Sequence, residues 1–363
     1  MKNSFGNSVI ITLFGESHGK SVGAVLDGIA PGIPVDNDFI RYQLSLRRPS
    51  ESFSTSRIET DEFEIHSGIF NGKTTGTPIC IIIPNKDTDS SAYDKLKGVA
   101  RPGHADFTSF SKYKGFADYR GGGHSSGRVT AALVAAGAIA VSMLKSKNIF
   151  IGTHLAECAG VHDRGFDDLD KDINLLNTRH FAVLDEAAAQ KMKDAVNAAH
   201  ERADSIGAVL ETAVSGVPAG AGEPWFDSVE GVLSHILFSV PGIKGVEFGS
   251  GFRFASAFGS EMNDAFFAEN GNVFTKTNHN GGINGGITNG MPLVFRCAVK
   301  PTPSIGIKQS TVNFEKCENT ELIIDGRHDA CIADRASVVI DSVTALALCD
   351  ILSQKYGTDF FGE

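Results

Sequence analysis

Residues 129–145 (VTAALVAAGAIAVSMLK) put apolar or small side chains around nearly the whole circumference of any helix they form. Such a helix is stable only where protein or lipid covers every side. The run falls short of the roughly 20 apolar residues that span a bilayer, and its alanines and glycine suit close packing inside a protein. It therefore reads as a core helix, with Arg128 before it and Lys145 at its end. A second run, 338–352, has the same character. Two helices buried on all sides need cover, and the β-rich segments 149–155, 206–214, 246–254, 293–299 and 322–324 could supply it as sheets on opposite faces.

The N-terminal third reads as smaller elements. Segments 9–14 and 22–26 are short and β-rich, with the loop Gly15-Glu16-Ser17-His18-Gly19 between them. Asp36 is placed to cap a short helix with Phe39, Ile40 and Leu44 on its apolar face, stopped by Pro49. Segments 63–65 and 77–83 read as strands, and 185–203 as an amphipathic surface helix. The order of Gly-rich loop and buried helix recurs in both halves, without a residue-level repeat. A single domain over 1–363 is expected, although the length would allow two.

Charge narrows the function. The 363 residues carry 33 Lys and Arg against 43 Asp and Glu, a net charge of −10, and no basic run. Duplex binding rests mainly on Lys and Arg neutralising phosphates, so the balance argues against a dedicated nucleic-acid binder and no nucleic-acid partner is expected. The N-terminal apolar run is too brief for a signal-peptide core, and no membrane partner is indicated, so a cytoplasmic protein is expected. The cysteines (Cys80, Cys158, Cys297, Cys317, Cys331, Cys349) are scattered without a C-x-x-C pair, which suits reduced thiols and offers no metal site. Glycine is in excess, 40 residues or about 11% against a usual 7%. Much of it is clustered.

The main cluster, Arg120-Gly121-Gly122-Gly123-His124-Ser125-Ser126-Gly127-Arg128, runs into the first buried helix. Glycines allow close backbone approach, serines donate hydrogen bonds and free N–H groups at a helix start favour an anion, so phosphate binding is the natural reading against that of an ordinary serine cap. Residues 68–74 (GIFNGKT) have three residues between the glycines where a P-loop needs four, and no dinucleotide fingerprint opens a βαβ unit. His18 and His104 lie in Gly-containing loops beside acidic or arginine residues and could move protons near neutral pH, but by themselves they are weak signals, since most of the eleven histidines are expected to be structural or merely exposed. Later loops offer bare backbone and amides (278–286), a cation beside hydroxyls in a stiff turn (Lys300, Pro301, Thr302, Pro303, Ser304) and a cation with a possible base (Arg327, His328, Asp329). Taken together they suit a ligand bearing phosphate and a planar polar ring system.

With these blocks in order, the chain resembles the chorismate synthase family over essentially its full length. The residues carrying the resemblance are GESHG with DGIAPG, RPGHAD through YRGGGHSSGRVTA, GEPWFD, IKGVEFGSGF, NHNGGINGGI, KPTPSI and GRHDAC. The resemblance implies an α+β fold, a β-α-β sandwich with central buried helices between antiparallel sheets, and a homotetramer. It implies a carbon–oxygen lyase of the shikimate pathway and aromatic amino acid biosynthesis, converting 5-enolpyruvylshikimate 3-phosphate to chorismate by 1,4-anti elimination of phosphate with reduced FMN. By the same resemblance His18 protonates or stabilises the reduced flavin, His104 protonates the departing phosphate, and Asp329 assists deprotonation through the flavin. Arg47, Arg101, Arg128 and Arg327 are expected around the substrate. His124, Ser125, Ser126, Pro241, Gly242, Gly285, residues 300–304 and Arg327 are expected against the flavin, and no metal is expected.

The chain departs from the family pattern at three places. His124 stands where many members have Arg, Ser50-Glu51-Ser52-Phe53 replaces a segment with a further arginine, and Asp341 stands where Glu is common. The altered arginine loop bears on phosphate affinity and on any NADP contact. A flavin- or phospholigand-binding homologue without lyase activity is the alternative. A flavin oxidoreductase is a third reading, distinguished by NADPH consumption stoichiometric with product.

Overall fold

The computed structural model describes residues 2–49, 51, 53, 60–86, 97–324 and 329–362. Five strands form an antiparallel sheet: β1 (Ser4–Phe5), β2 (Ile10–Gly15), β3 (Ser21–Asp27), β4 (Glu64–Ser67) and β5 (Ile79–Pro84), in the order β1-β2-β3-β5-β4. Alternation sets its faces. Val22, Ala24 and Leu26 on β3 and Ile79, Ile81 and Ile83 on β5 are fully buried, while Val25, Cys80 and Ile82 between them are less so.

The main helices are α1 (Asn37–Leu46), α2 (Asp106–Lys112), α3 (Thr130–Ser146), α4 (Glu186–Glu201) and α5 (Ala333–Tyr356). As expected, Asp36 caps α1, its carboxylate accepting from the N–H groups of Asp38 at 2.9 Å and Phe39 at 3.1 Å. Asp185 caps α4 in the same way. The second sheet comprises β6 (Phe150–Cys158), β7 (Val161–His162), β8 (Ala208–Ser215), β9 (Ile243–Phe248) and β10 (Leu293–Val299), again all antiparallel and ordered β9-β10-β8-β6-β7.

The helices α3 and α5 pack on each other between the sheets, α3 against β3 and β5 and α5 against β6 and β8. This is the layered β-α-β arrangement of an α+β fold. The helical stretch Gly127–Ser146, which is α3 with the turn before it, and α5 are each long and apolar enough to cross a bilayer, yet 78% and 94% of their apolar windows are buried within the fold. Their contact is close. A Cβ on Gly137 of α3 would fall 2.4 Å from the Ser342 Cβ of α5, so glycine is what permits this crossing. One continuous apolar core runs from Val9 to Phe361.

Two expectations are corrected. The strand foreseen over 246–254 ends at Phe248, because the chain turns at Gly249 (φ +54°) and enters a 3-10 turn. Residues near 322 do not cover the helices: Glu318–Leu322 pairs with Gln309–Asn313 in a separate two-stranded ribbon. The polar, half-exposed alternation of both segments fits a ribbon rather than a core strand.

Candidate active site

The loop before α3 is built on Gly121, Gly122 and Gly123, all with positive φ (+58°, +90°, +55°). That path brings bare backbone between two histidines. A Cβ on Gly121 would stand 2.3 Å from Cε1 and 2.4 Å from Nδ1 of His18, and one on Gly122 would stand 3.3 Å from Nε2 of His104. The Ser17 N–H donates to the Gly123 carbonyl at 3.1 Å, and Nδ1 of His124 donates to the Gly15 carbonyl at 2.8 Å. His124 therefore ties the loop to the 15–19 segment. Ser126 accepts from the Arg128 N–H at 3.3 Å, the ordinary serine cap weighed against an anion site. Ser125 lies beside it.

His104 is held from behind. Its Nδ1 is 2.8 Å from Oδ1 of Asp106, the first residue of α2. Arg101 donates to the same carboxylate from Nε (2.8 Å), from its terminal nitrogen (2.7 Å) and from its backbone N–H (3.0 Å). Burial alone would push the Asp106 carboxyl up, but the hydrogen bonds and charges of Arg101 and His104 win and hold it well below the usual carboxylate range. His104, Arg101 and Asp106 line a cleft shared with Lys97, Tyr119 and Gly122.

Arg47 and Arg128 converge on a carboxylate that composition and spacing do not single out. Arg47, at the end of α1, donates to Oδ2 of Asp61 at 3.3 Å, to the Thr130 hydroxyl at 2.8 Å and to the Gly127 carbonyl at 2.8 Å. Arg128 donates to the other oxygen of Asp61 and, through Nε, to Oδ1 of Asn85 at 2.9 Å. Asn85 donates to the carbonyls of Glu16 and Gly19, both at 2.9 Å. It thus couples Arg128 to the loop bearing His18.

The turn of residues 300–304 abuts the His104 loop: the Lys300 ammonium donates to the Gly103 carbonyl, and a Cβ on Gly103 would meet Pro303 at 3.5 Å. Pro241-Gly242 is beside it, the Gly242 carbonyl accepting from the Lys300 N–H at 2.9 Å. Asp329 pairs with Arg335 at 2.5 Å. Next to it Asp334 is buried, with no hydrogen bond to either carboxylate oxygen among the described residues, and burial pushes its carboxyl up to about 6 against the pull of Arg335. Arg327 lies outside the described residues.

Gly285 is placed elsewhere. Its loop is organised by Asp264, which accepts from the Thr277 hydroxyl (2.7 Å), the His279 N–H (2.7 Å) and the backbone and side chain of Asn280 (2.9 and 2.8 Å). The adjacent Gly286 accepts from the Val229 N–H, against the loop containing Trp225 and Phe226. Asp61, Asn85 and Asp264 are organising residues that motif reading passes over, and Asp106 is one that it quotes without a role. Only Asp106, two residues from His104, carries a local signal.

Two features suit a flavin with its phosphate and ring edges. Ser17, 1% exposed, has a hydroxyl without a hydrogen-bond partner among the described residues, directed at Gly121, and the buried Thr302 hydroxyl is likewise unpartnered. The bare peptide groups of 121–122 leave room that any Cβ would fill.

A family model described as chorismate synthase matches residues 9–352. Curated proteins named chorismate synthase are similar across the chain. That of Methanococcoides burtonii is 45% identical over 351 residues, covering 96% of this chain and 95% of the relative. That of Archaeoglobus fulgidus is 44% identical over 350 residues, covering 96% and 97%. A crystal structure of chorismate synthase superposes with a TM-score of 0.79 at 29% identity, covering 98% of this chain and 95% of that one.

Proposed function

The chain belongs to the chorismate synthase family, and from that premise we infer that it releases phosphate from 5-enolpyruvylshikimate 3-phosphate by 1,4-anti elimination, giving chorismate. The observation that carries this reading is the pair His18 and His104 on either side of the Gly121-Gly122 backbone. An elimination of this kind breaks a carbon–oxygen bond to phosphate and removes a proton from carbon. It needs a donor of protons to the leaving group, a proton acceptor and cations for the departing charge.

Residues of this chain fit those tasks. His104 faces the cleft with Nε2 and can protonate departing phosphate. Arg47 and Arg128, both held on Asp61 beside the loop, are assigned to the substrate by the resemblance, and a substrate anion there would have to compete with Asp61 for them. Arg101 acts from behind His104, and Arg327 is assigned to substrate and flavin by the resemblance. Reduced FMN, when bound, supplies electron density that helps phosphate leave. His124, Ser125, Ser126, Pro241, Gly242 and residues 300–304 are assigned to hold it, with His18 governing its protonation and Asp329 assisting proton removal.

A homotetramer is assigned on a different observation. Trp225 (79% exposed), Phe226 (96%), Phe252, Phe258 and Phe266 each expose an aromatic ring, which suits contacts with further copies. Gly285 lies in the loop against the Trp225–Phe226 segment, which suits a flavin position completed between copies. A cytoplasmic location is proposed from the resemblance to a biosynthetic enzyme family. The match to the family over nearly the whole chain favours the lyase over a binding protein that has lost catalysis, and His18, His104 and Asp329 are all present in the sequence.

Anaerobic phosphate release from 5-enolpyruvylshikimate 3-phosphate with dithionite-reduced FMN tests the reading. Stoichiometric phosphate and chorismate with catalytic flavin are expected. A folded, flavin-loaded protein without turnover would overturn it. NADPH in place of dithionite reports whether the chain reduces its own flavin.

A further inference from the structure

We propose that Asn85 is a positioning residue for His18, its amide holding both ends of the turn that carries the ring and tying that turn to Arg128. The proposal takes the task of His18 from the lyase reading and the placement of its turn from geometry.

Sheet register puts Asn85 there. Strands β3 and β5 pair antiparallel with Ser21 opposite Pro84, so the next residues, Lys20 and Asn85, face each other just beyond the paired strands. The Asn85 N–H continues the ladder, donating to the Lys20 carbonyl at 3.1 Å. Its side chain then reaches the turn of residues 16–19. Nδ2 donates to the Glu16 carbonyl and to the Gly19 carbonyl, both at 2.9 Å, and the Gly19 N–H closes the same turn on the Glu16 carbonyl at 3.1 Å. His18 lies inside that span, buried, with its ring against Gly121.

Each partner has a fixed polarity, which settles how the amide is oriented. A peptide carbonyl only accepts and a guanidinium only donates. Arg128 Nε donates to Oδ1 of Asn85 at 2.9 Å. Turned over, the amide would set its NH2 against that N–H and its oxygen against two carbonyls. The oxygen and both hydrogens are thus engaged at once. Arg128 has other anchors, Asp61 and the Pro84 carbonyl at 3.4 Å, so loss of the amide falls mainly on the turn of His18. Displacing a group that acts on a reacting centre by about 1 Å can cost on the order of 10²-fold in rate.

The test reads the ring and the rate separately. Asn85→Leu keeps the shape of the side chain without its donors or acceptor, and Asn85→Ala leaves space for water. In cofactor-free protein labelled with 15N-histidine, the His18 signals are those lost in His18→Gln. Both Asn85 variants are expected to shift or broaden them, Asn85→Leu no less than Asn85→Ala. Wild-type His18 signals in Asn85→Leu would assign Asn85 to packing and overturn the proposal; should thermal melts show that variant unfolded, wild-type signals in Asn85→Ala overturn it instead. In kinetics, kcat should fall about tenfold or more with KM changed less, since Arg128 keeps its other anchors. On a His18→Ala background the same substitution should cost less than about twofold, because the residue it acts through is gone. Losses that multiply in the double variant would also overturn the proposal. The spectra need no turnover. Displaced His18 signals in the variants of a protein that releases no phosphate would therefore count against the lyase reading and for the positioning of His18.

Discussion

Arg128 and Asp61 form an ion pair shielded from water on both sides, with 4% of the arginine side chain and none of the aspartate side chain exposed. Arg47 takes the second oxygen of the same carboxylate. Removing one partner of a buried pair leaves an uncompensated charge, at a cost of about 3–5 kcal/mol. Asp61→Asn is therefore expected to destabilise the protein by an amount of that order, read as a lowered denaturant midpoint at unchanged slope. Inorganic phosphate should restore more stability to the variant than to the wild type, since two guanidiniums lose an internal anion. Equal phosphate effects on both proteins would show that these arginines do not form an anion site.

The loop glycines should rank by what a methyl group would meet. Gly121→Ala adds a Cβ 2.3 Å from the His18 ring at φ +58°, and Gly122→Ala adds one 3.2 Å from the His104 ring at φ +90°. Gly127, in the same loop, has nothing within 4 Å and no positive φ. Gly121→Ala is expected to lose on the order of 1–3 kcal/mol of stability and most activity, Gly122→Ala less stability, and Gly127→Ala neither. Thermal melts and phosphate release at saturating substrate measure both. Activity in Gly121→Ala near wild type would mean that the His18 ring can move without consequence.

What could be read from the sequence was local. The cap at Asp36, the strands flanking the 15–19 loop and the two apolar helices depend on neighbours within a turn or two, and each forms within a few residues of its expected place. The longer helix begins at Ala333 rather than 338, because Asp334 and Arg335 are polar residues tolerated inside its first turn. Asp61 and Asn85 escaped notice since their partners lie 67 and 69 residues away, at Arg128 and Glu16. No period or spacing encodes such pairs. Asp264 is another case: a single acid in a polar stretch becomes the organiser of a glycine-rich loop only once the chain folds back on it.

The two histidines should separate chemistry from folding. His18→Ala and His104→Ala are each expected to keep the melting behaviour of a folded protein and to lose on the order of 10²-fold or more in kcat. Single-turnover phosphate release with reduced FMN reads the chemical step directly. Wild-type rates in both variants would remove histidine from the elimination.

Asp341 links stability to pH. Buried in α5, its carboxyl is pushed up to about 7 by that burial, against the pull of a 2.6 Å hydrogen bond from the Thr153 hydroxyl and of the Lys145 charge. An unfolded aspartate ionises near 3.9, so the folded state binds the proton more tightly than the unfolded state does. The stabilisation is full below about pH 4 and is lost as pH rises through about 7, where the unfolded chain has already released its proton. Asp334, pushed up to about 6, contributes with the same sign. Asp341→Asn keeps an oxygen for the Thr153 hydroxyl but has no proton to lose. The difference in unfolding free energy between variant and wild type should therefore swing in favour of the variant by a few kcal/mol between about pH 4 and pH 7. Denaturant melts at half-unit pH steps measure it, and subtraction cancels Asp334. A difference that stays flat with pH would place the Asp341 carboxyl in the ordinary range, with Lys145 prevailing over burial.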